Sequence, residues 1–230
     1  MEHYLNFSNT NIWSEIWPEL ALALAAIVLL GIDLFRKSDK PIVSIGSLAI
    51  VFQAGLLIFH LFDYLAWHHT FDRETFSGML HQGIQGDVMR TFFLLSSLLV
   101  SVLGHQYLKN KKLRAGEFHH LTMLATAGLM LLVQSNHFIM LFVALETVAV
   151  CFYTLVAYNR ESAKSLEAGI KYLIFGALSS SLLLFGIVLL YGVAGNPEAW
   201  GANYIGFEGQ DPRVDLHCPC SLWYHYNQVR

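Results

Sequence analysis

Charge is what this sequence has least of. Of its 230 residues only 13% are Asp, Glu, Lys or Arg, while 55% are apolar; soluble domains carry roughly 25% charge. So few charges cannot cover a water-exposed surface, which excludes an ordinary soluble enzyme. A basic excess is lacking as well: the formal net charge is -3, which excludes the electrostatic grip that nucleic-acid binding requires. Cysteine is scarce. Cys151, Cys218 and Cys220 form an odd, scattered set, neither a disulfide framework nor a spaced zinc site. No Lys or Arg precedes Arg36, so the first apolar run lacks the basic leader of a cleaved signal peptide and is expected to stay as an anchor.

What the chain does have is long apolar runs. Crossing ~30 Å of hydrocarbon takes about 20 mainly apolar residues in a helix. Six segments qualify, at about 16–35, 41–62, 88–108, 117–134, 137–158 and 165–193. The fourth and fifth are split by the turn-prone Gln134-Ser135-Asn136. The expected fold class is therefore all-α, a polytopic integral membrane protein with about six transmembrane helices.

Basic residues orient such a bundle. Connections after helices one, three and five hold Arg36, Lys37, Lys40, Lys109, Lys111, Lys112, Arg114, Arg160 and Lys164, nine of the fourteen present. The other side holds Arg73 and, at the start of helix three, Arg90. By the positive-inside rule the N-terminus is outside and the odd-numbered connections are cytoplasmic. Trp13, Trp17 and Trp67 read as interfacial anchors.

Two regions fall outside the helical pattern. The connection at about 63–87 carries Asp63, Asp72, Glu74, Asp87 and His68-His69. It reads as a solvated loop, with a metal site as the alternative, although adjacent histidines diverge and no third ligand is identifiable. From about 196 to 230 the chain is polar and aperiodic. Cys218-Pro219-Cys220 with His217 and His225 is a soft-metal set by residue type, with a spacing that matches no common zinc arrangement.

Ionisable groups inside the bilayer cost several kcal/mol by most estimates and point to function. Glu146 is the central one. Every residue from Phe138 to Leu145 is apolar, so at about 1.5 Å per residue it lies roughly 13 Å inside helix five. A protonated packing carboxyl is the plain alternative. Lys171, about six residues into helix six, has three readings. It snorkels to the interface, pairs with Glu167 at i,i+4, or meets Glu146 across neighbouring helices within about one to two turns of depth. Opposed desolvation and charge effects in such a pair make proton affinity sensitive to hydration, as a relay requires. Glu19 suits the positive start of helix one. Asp33 ends that helix, and His105, His119, His120 and His137 sit near helix ends as ordinary interfacial residues. Gly176, Ala177, Ser179, Ser180, Ser181 and Gly186 form a small-residue cluster that suits close helix packing.

These residues also carry a resemblance. Leu145-Glu146, the run Tyr153 to Tyr158, Ser165-Leu-Glu-Ala-Gly-Ile-Lys171-Tyr172 and Gly176 to Gly186 resemble the antiporter-like N subunit of complex I, the proton-translocating NADH:quinone oxidoreductase. Pro18-Glu19 and Glu117-Phe118 fit the same pattern, and the match runs from about 12 to 195. The resemblance implies the front part of a fourteen-helix antiporter-like fold, with inverted repeats beginning after the third helix. It implies a translocase subunit in the respiratory chain of the cell inner membrane, partnered by other membrane-arm subunits and the lipid bilayer, with no nucleic acid. It implies no cofactor on this chain: NADH, FMN, iron–sulfur clusters and quinone serve the whole complex. The family's helix-five glutamate maps to Glu146 and its helix-six lysine to Lys171; its later channel lysines have no positions here.

Two departures stand out. Cys151 occupies a place where the family commonly has proline, and the family pattern stops near Gly195. The domain expectation is thus an antiporter-like transmembrane region over 1–195 and a tail over 196–230, frameshifted or mis-predicted. The functional expectation is proton translocation coupled to electron transfer from NADH to quinone, with the fragment inactive alone. The alternatives are a subunit of a multisubunit cation/proton antiporter and a non-catalytic membrane scaffold.

Overall fold

The computed structural model describes residues 16–35, 43–66, 73–76, 79–111 and 116–194. His68, His69 and the tail residues Cys218 and Cys220, with the metal readings attached to them, lie outside the described residues. Six helices follow in order: α1 (Trp17–Phe35), α2 (Val43–Ala66), α3 (Ile84–Lys111), α4 (Gly116–Gln134), α5 (Phe138–Val156) and α6 (Ala163–Ala194). Each overlaps one expected span. Among the described residues, α3, α5 and α6 are long and apolar enough to cross a membrane, and α2 contributes a shorter apolar run over Gly46–Phe62. The fold is that of an all-helical integral membrane protein.

Helix α4 is the hub, packing against α1, α3 and α5 and more lightly against α2. The core shows why. Leu22, Ala26 and Leu29 of α1 recur at i, i+4 and i+7, and so do Met123, Ala127 and Met130 of α4; all six are buried in one cluster with Ala49 and Leu94. That spacing puts one stripe on each helix, and the alanine in the middle of each stripe lets the backbones approach. Gly128, on another side of α4, allows α5 to close: a Cβ there would stand 2.8 Å from Val148 Cγ2. Polar contacts stitch α2 to α3, with Gln53 Nε2 donating to Ser97 Oγ at 3.0 Å and the Thr91 hydroxyl 3.3 Å from His60 Nδ1.

Within the connection between α2 and α3 the described residues form two short strands where a solvated loop was expected. Strands β1 (Arg73–Thr75) and β2 (Leu80–Gln82) pair antiparallel, Thr75 opposite Leu80. Phe76, at φ 54°, turns the chain through the left-handed region. Thr75, Leu80 and Gln82 are buried. The hairpin closes over the α4–α5 turn through a Leu80–Ser135 bridge and an Asn136 N–H to Met79 carbonyl bond of 2.8 Å. Strand β2 alternates, Leu80 and Gln82 buried and His81 exposed, but three residues are too few for that alternation to stand out in the sequence.

Candidate proton-relay site

Helix α5 starts where His137 caps it, its Nδ1 accepting from the Ile139 N–H at 3.2 Å. Eight apolar residues then precede Glu146, which is half-buried and makes no hydrogen bond or ion pair among the described residues. Seven positions further, Tyr153 falls on the same face, two turns along.

That face meets α6. The Tyr153 ring stands edge-on to Tyr172, centroids 5.1 Å apart at 87°, and lies over Gly176, where a Cβ would collide with the phenol. At the near end a Cβ on Gly169 would sit 2.5 Å from that of Ala157. These two contacts fix an antiparallel register in which residue 176 faces 153 and residue 169 faces 157. The glycines are what make it possible.

The same register separates the two expected relay groups. Lys171 falls opposite about residue 156, ten residues from Glu146, which is about 15 Å of helix, nearly three turns. The expected separation was one to two turns. Lys171 instead donates from Nζ to Glu167 Oε1 at 2.5 Å, with both side chains about two-thirds exposed. Of the three readings of Lys171, the i,i+4 pair is the contact the structure forms, because one helical turn brings those groups together whatever the neighbour does. Ser180 and Ser181 return their hydroxyls to carbonyls one turn back on α6.

A second polar group was not assembled by sequence reasoning. Glu19 and Arg90, from α1 and α3, form a buried ion pair, Nε to Oε1 at 2.7 Å, with side chains 1% and 5% exposed. Arg90 also reaches Asp87 Oδ1 at 3.1 Å. Gln134 of α4 donates from Nε2 to the same Glu19 oxygen, and Gln82 of β2 donates to Gln134 Oε1 at 3.2 Å. One network thus ties α1, α3, α4 and the hairpin. The available signal was depth: Glu19 and Arg90 both stand at the ends of their helices on one side of the expected topology.

Among the described residues no group of three or more His, Cys, Asp or Glu could hold a metal ion. What the arrangement offers is proton chemistry: a carboxyl deep on an apolar helix, a tyrosine on its face and a cation at the far end. Residues 135–201 match the family described as NADH:quinone oxidoreductase/Mrp antiporter, transmembrane. Over 205 residues, 87% of its length, the chain is 47% identical to NADH-quinone oxidoreductase subunit N 1 of Opitutus terrae. This chain is similar to complex I subunit N. The subunit N of Paramagnetospirillum magneticum is 33% identical over 196 residues, 85% of the chain. In each case the match takes in 39% of the relative, so the chain spans about two fifths of the length of the curated relatives it matches.

Solved structures agree. A chain of respiratory complex I from Thermus thermophilus with bound aureothin superposes with a TM-score of 0.63 at 25% identity, over 85% of this chain and 40% of that one. A chain of the membrane-bound sulfane sulfur reductase, an archaeal respiratory membrane complex, gives 0.60 at 22% identity over 78% and 37%; that likeness is of fold alone.

Proposed function

We propose that this chain works as part of a membrane-arm subunit of a proton-translocating NADH:quinone oxidoreductase, beside other membrane-arm subunits. Electron transfer from NADH to quinone takes place on other subunits of the complex, which carry the FMN and iron–sulfur centres, so this chain is a non-redox component. Its N-terminus is outside, and the connections after α1, α3 and α5 are cytoplasmic. Glu146 is the titrating carboxyl. Lys171 modulates it at a distance: with about 15 Å of helix between them, a proton passes by way of water and the Tyr153 phenol rather than across a direct pair. The observation that carries this reading is Glu146 itself, a carboxyl within an apolar helix with no counter-ion among the described residues, in a chain 47% identical to a subunit N. The 230 residues alone, without the later helices of their relatives, do not pump.

The test replaces Glu146 by Gln in the assembled complex and compares NADH-driven proton uptake in membrane vesicles. Normal assembly with pumping lowered at least fivefold is expected. Unchanged pumping refutes the role and favours a scaffold. The matched family also takes in Mrp antiporters, which sustains a second reading as a cation/proton antiporter subunit. Sodium-dependent proton exchange without quinone reduction would decide for it.

A further inference from the structure

At the end of the bundle where α1 and α3 finish and α4 begins, three histidines and an aspartate converge. His119 is wholly buried and His120 is 4% exposed. His105 of α3 stands with its ring 5.7 Å from that of His119, and Asp33 of α1 places Oδ2 3.8 Å from His120 Nε2, too long for a hydrogen bond. Among the described residues, both ring nitrogens of His119, both of His120, and Nδ1 of His105 are buried without a hydrogen-bond partner. Buried polar atoms are almost always partnered by protein or ordered water, and five orphans at one place are not the mark of rings that merely pack.

Two glycines are fitted to the same group. A Cβ on Gly46 of α2 would come within 2.7 Å of His105 Nδ1 and 2.8 Å of His119 Nε2. A Cβ on Gly116 would come within 2.7 Å of Asp33 Oδ2. Any larger residue at either position takes up room beside the polar atoms. Among the described residues, the other titratable groups facing the cluster are Glu117 of α4, which Arg160 engages at 3.1 Å, and Tyr158, whose ring meets Phe118. From α2 it is the bare backbone of Gly46 that faces the rings.

We propose that His105, His119, His120 and Asp33 form a hydrated proton-holding site, separate from Glu146 and Lys171. A ring nitrogen takes a proton from hydronium, giving an imidazolium whose charge Asp33 balances, and returns it to water by the reverse step. Imidazole suits this because it takes up and releases a proton in water, and one carboxylate among the rings balances one proton, so a charge on one ring opposes a charge on the next. Nothing in this depends on the relay assigned to Glu146.

The test is solid-state NMR on the full chain in lipid nanodiscs, with 15N-histidine and backbone assignment. In the unmodified protein, magnetisation from water should reach the His119 and His120 rings, and their nitrogens should titrate together between pH 3 and 8. Dry rings, or rings whose tautomer is unchanged over that range, overturn the proposal. His119→Gln and, separately, His120→Gln should each move the midpoint of the remaining ring by at least half a pH unit, while the His137 signal stays put. Independent midpoints also overturn it. If a variant does not fold, the water-contact and pH series on the unmodified chain decide.

Discussion

Substituting Arg90 by Met tests the outer-end network directly. Arg90 and Glu19 are buried together, 5% and 1% exposed at the side chain, so solvent does not screen them. Removing the guanidinium leaves the Glu19 carboxylate facing Gln134 with no cation among the described residues. Breaking a buried pair from one side costs about 3–5 kcal/mol, because the remaining charge is uncompensated. For a chain of this size about 1 kcal/mol moves the midpoint by roughly 2–4 °C, so R90M should melt roughly 6–20 °C lower. Adding Glu19→Gln removes the stranded charge and keeps an acceptor for Gln134. The double variant should regain most of that loss, since replacing a buried pair whole is often near neutral. The protein carries its own reporter: Cys151 is 1% exposed and free. In a background with Cys218 and Cys220 changed to Ser, a thiol-reactive fluorophore then follows unfolding through one buried sulfur. A drop of less than 3 °C for R90M, or a double variant no better than the single, would refute the view that this pair holds α1 to α3.

The same thiol assay serves four more substitutions. Glu167→Gln should cost no more than about 0.5 kcal/mol, because the pair it breaks with Lys171 is exposed; a loss several times larger would mean the pair is buried against something. Gly176→Ala should cost about 1–3 kcal/mol by driving the Tyr153 phenol off α6, whereas Gly186→Ala, with nothing within 4 Å, should be neutral or stabilise by up to about 1 kcal/mol. Equal effects at the two positions would contradict the α5–α6 register. Leu22→Ala, at the wholly buried centre of the α1–α4 seam, should cost about 2–5 kcal/mol, and a loss below 1 kcal/mol would show the seam is not packed.

The helices were legible because each carries a mainly apolar run, and bilayer thickness sets how long such a run must be. Their ends were less so: α3 begins at Ile84 rather than near 88 because Gly83 and the hairpin lead straight into it. The depth of Glu146 could be read from eight apolar neighbours. Its surroundings could not, because the α5–α6 register is set by Gly169 and Gly176 meeting Ala157 and Tyr153, contacts that depend on which faces turn inward. The short-range pair Glu167–Lys171 was visible at four-residue spacing. Glu19 and Arg90 are 71 residues apart, and no local pattern joins them. His119 and His120 read as interfacial singly, yet they are buried because α4 sits at the centre of the bundle and has neighbours on most sides.

That central place of α4 has a consequence in time. Leu22 and Met123 share one core but are about a hundred residues apart, which at roughly 5–20 residues per second is a wait of about 5–20 s during synthesis. Glu19 waits for Arg90 over much of that interval, and for Gln134 longer still. Until then the inward carboxylate of α1 has no partner from the later helices. The order of synthesis therefore leaves the first helix unlocked until the fourth is made, and a pause between α3 and α4 would prolong its exposure more than a pause anywhere after α4.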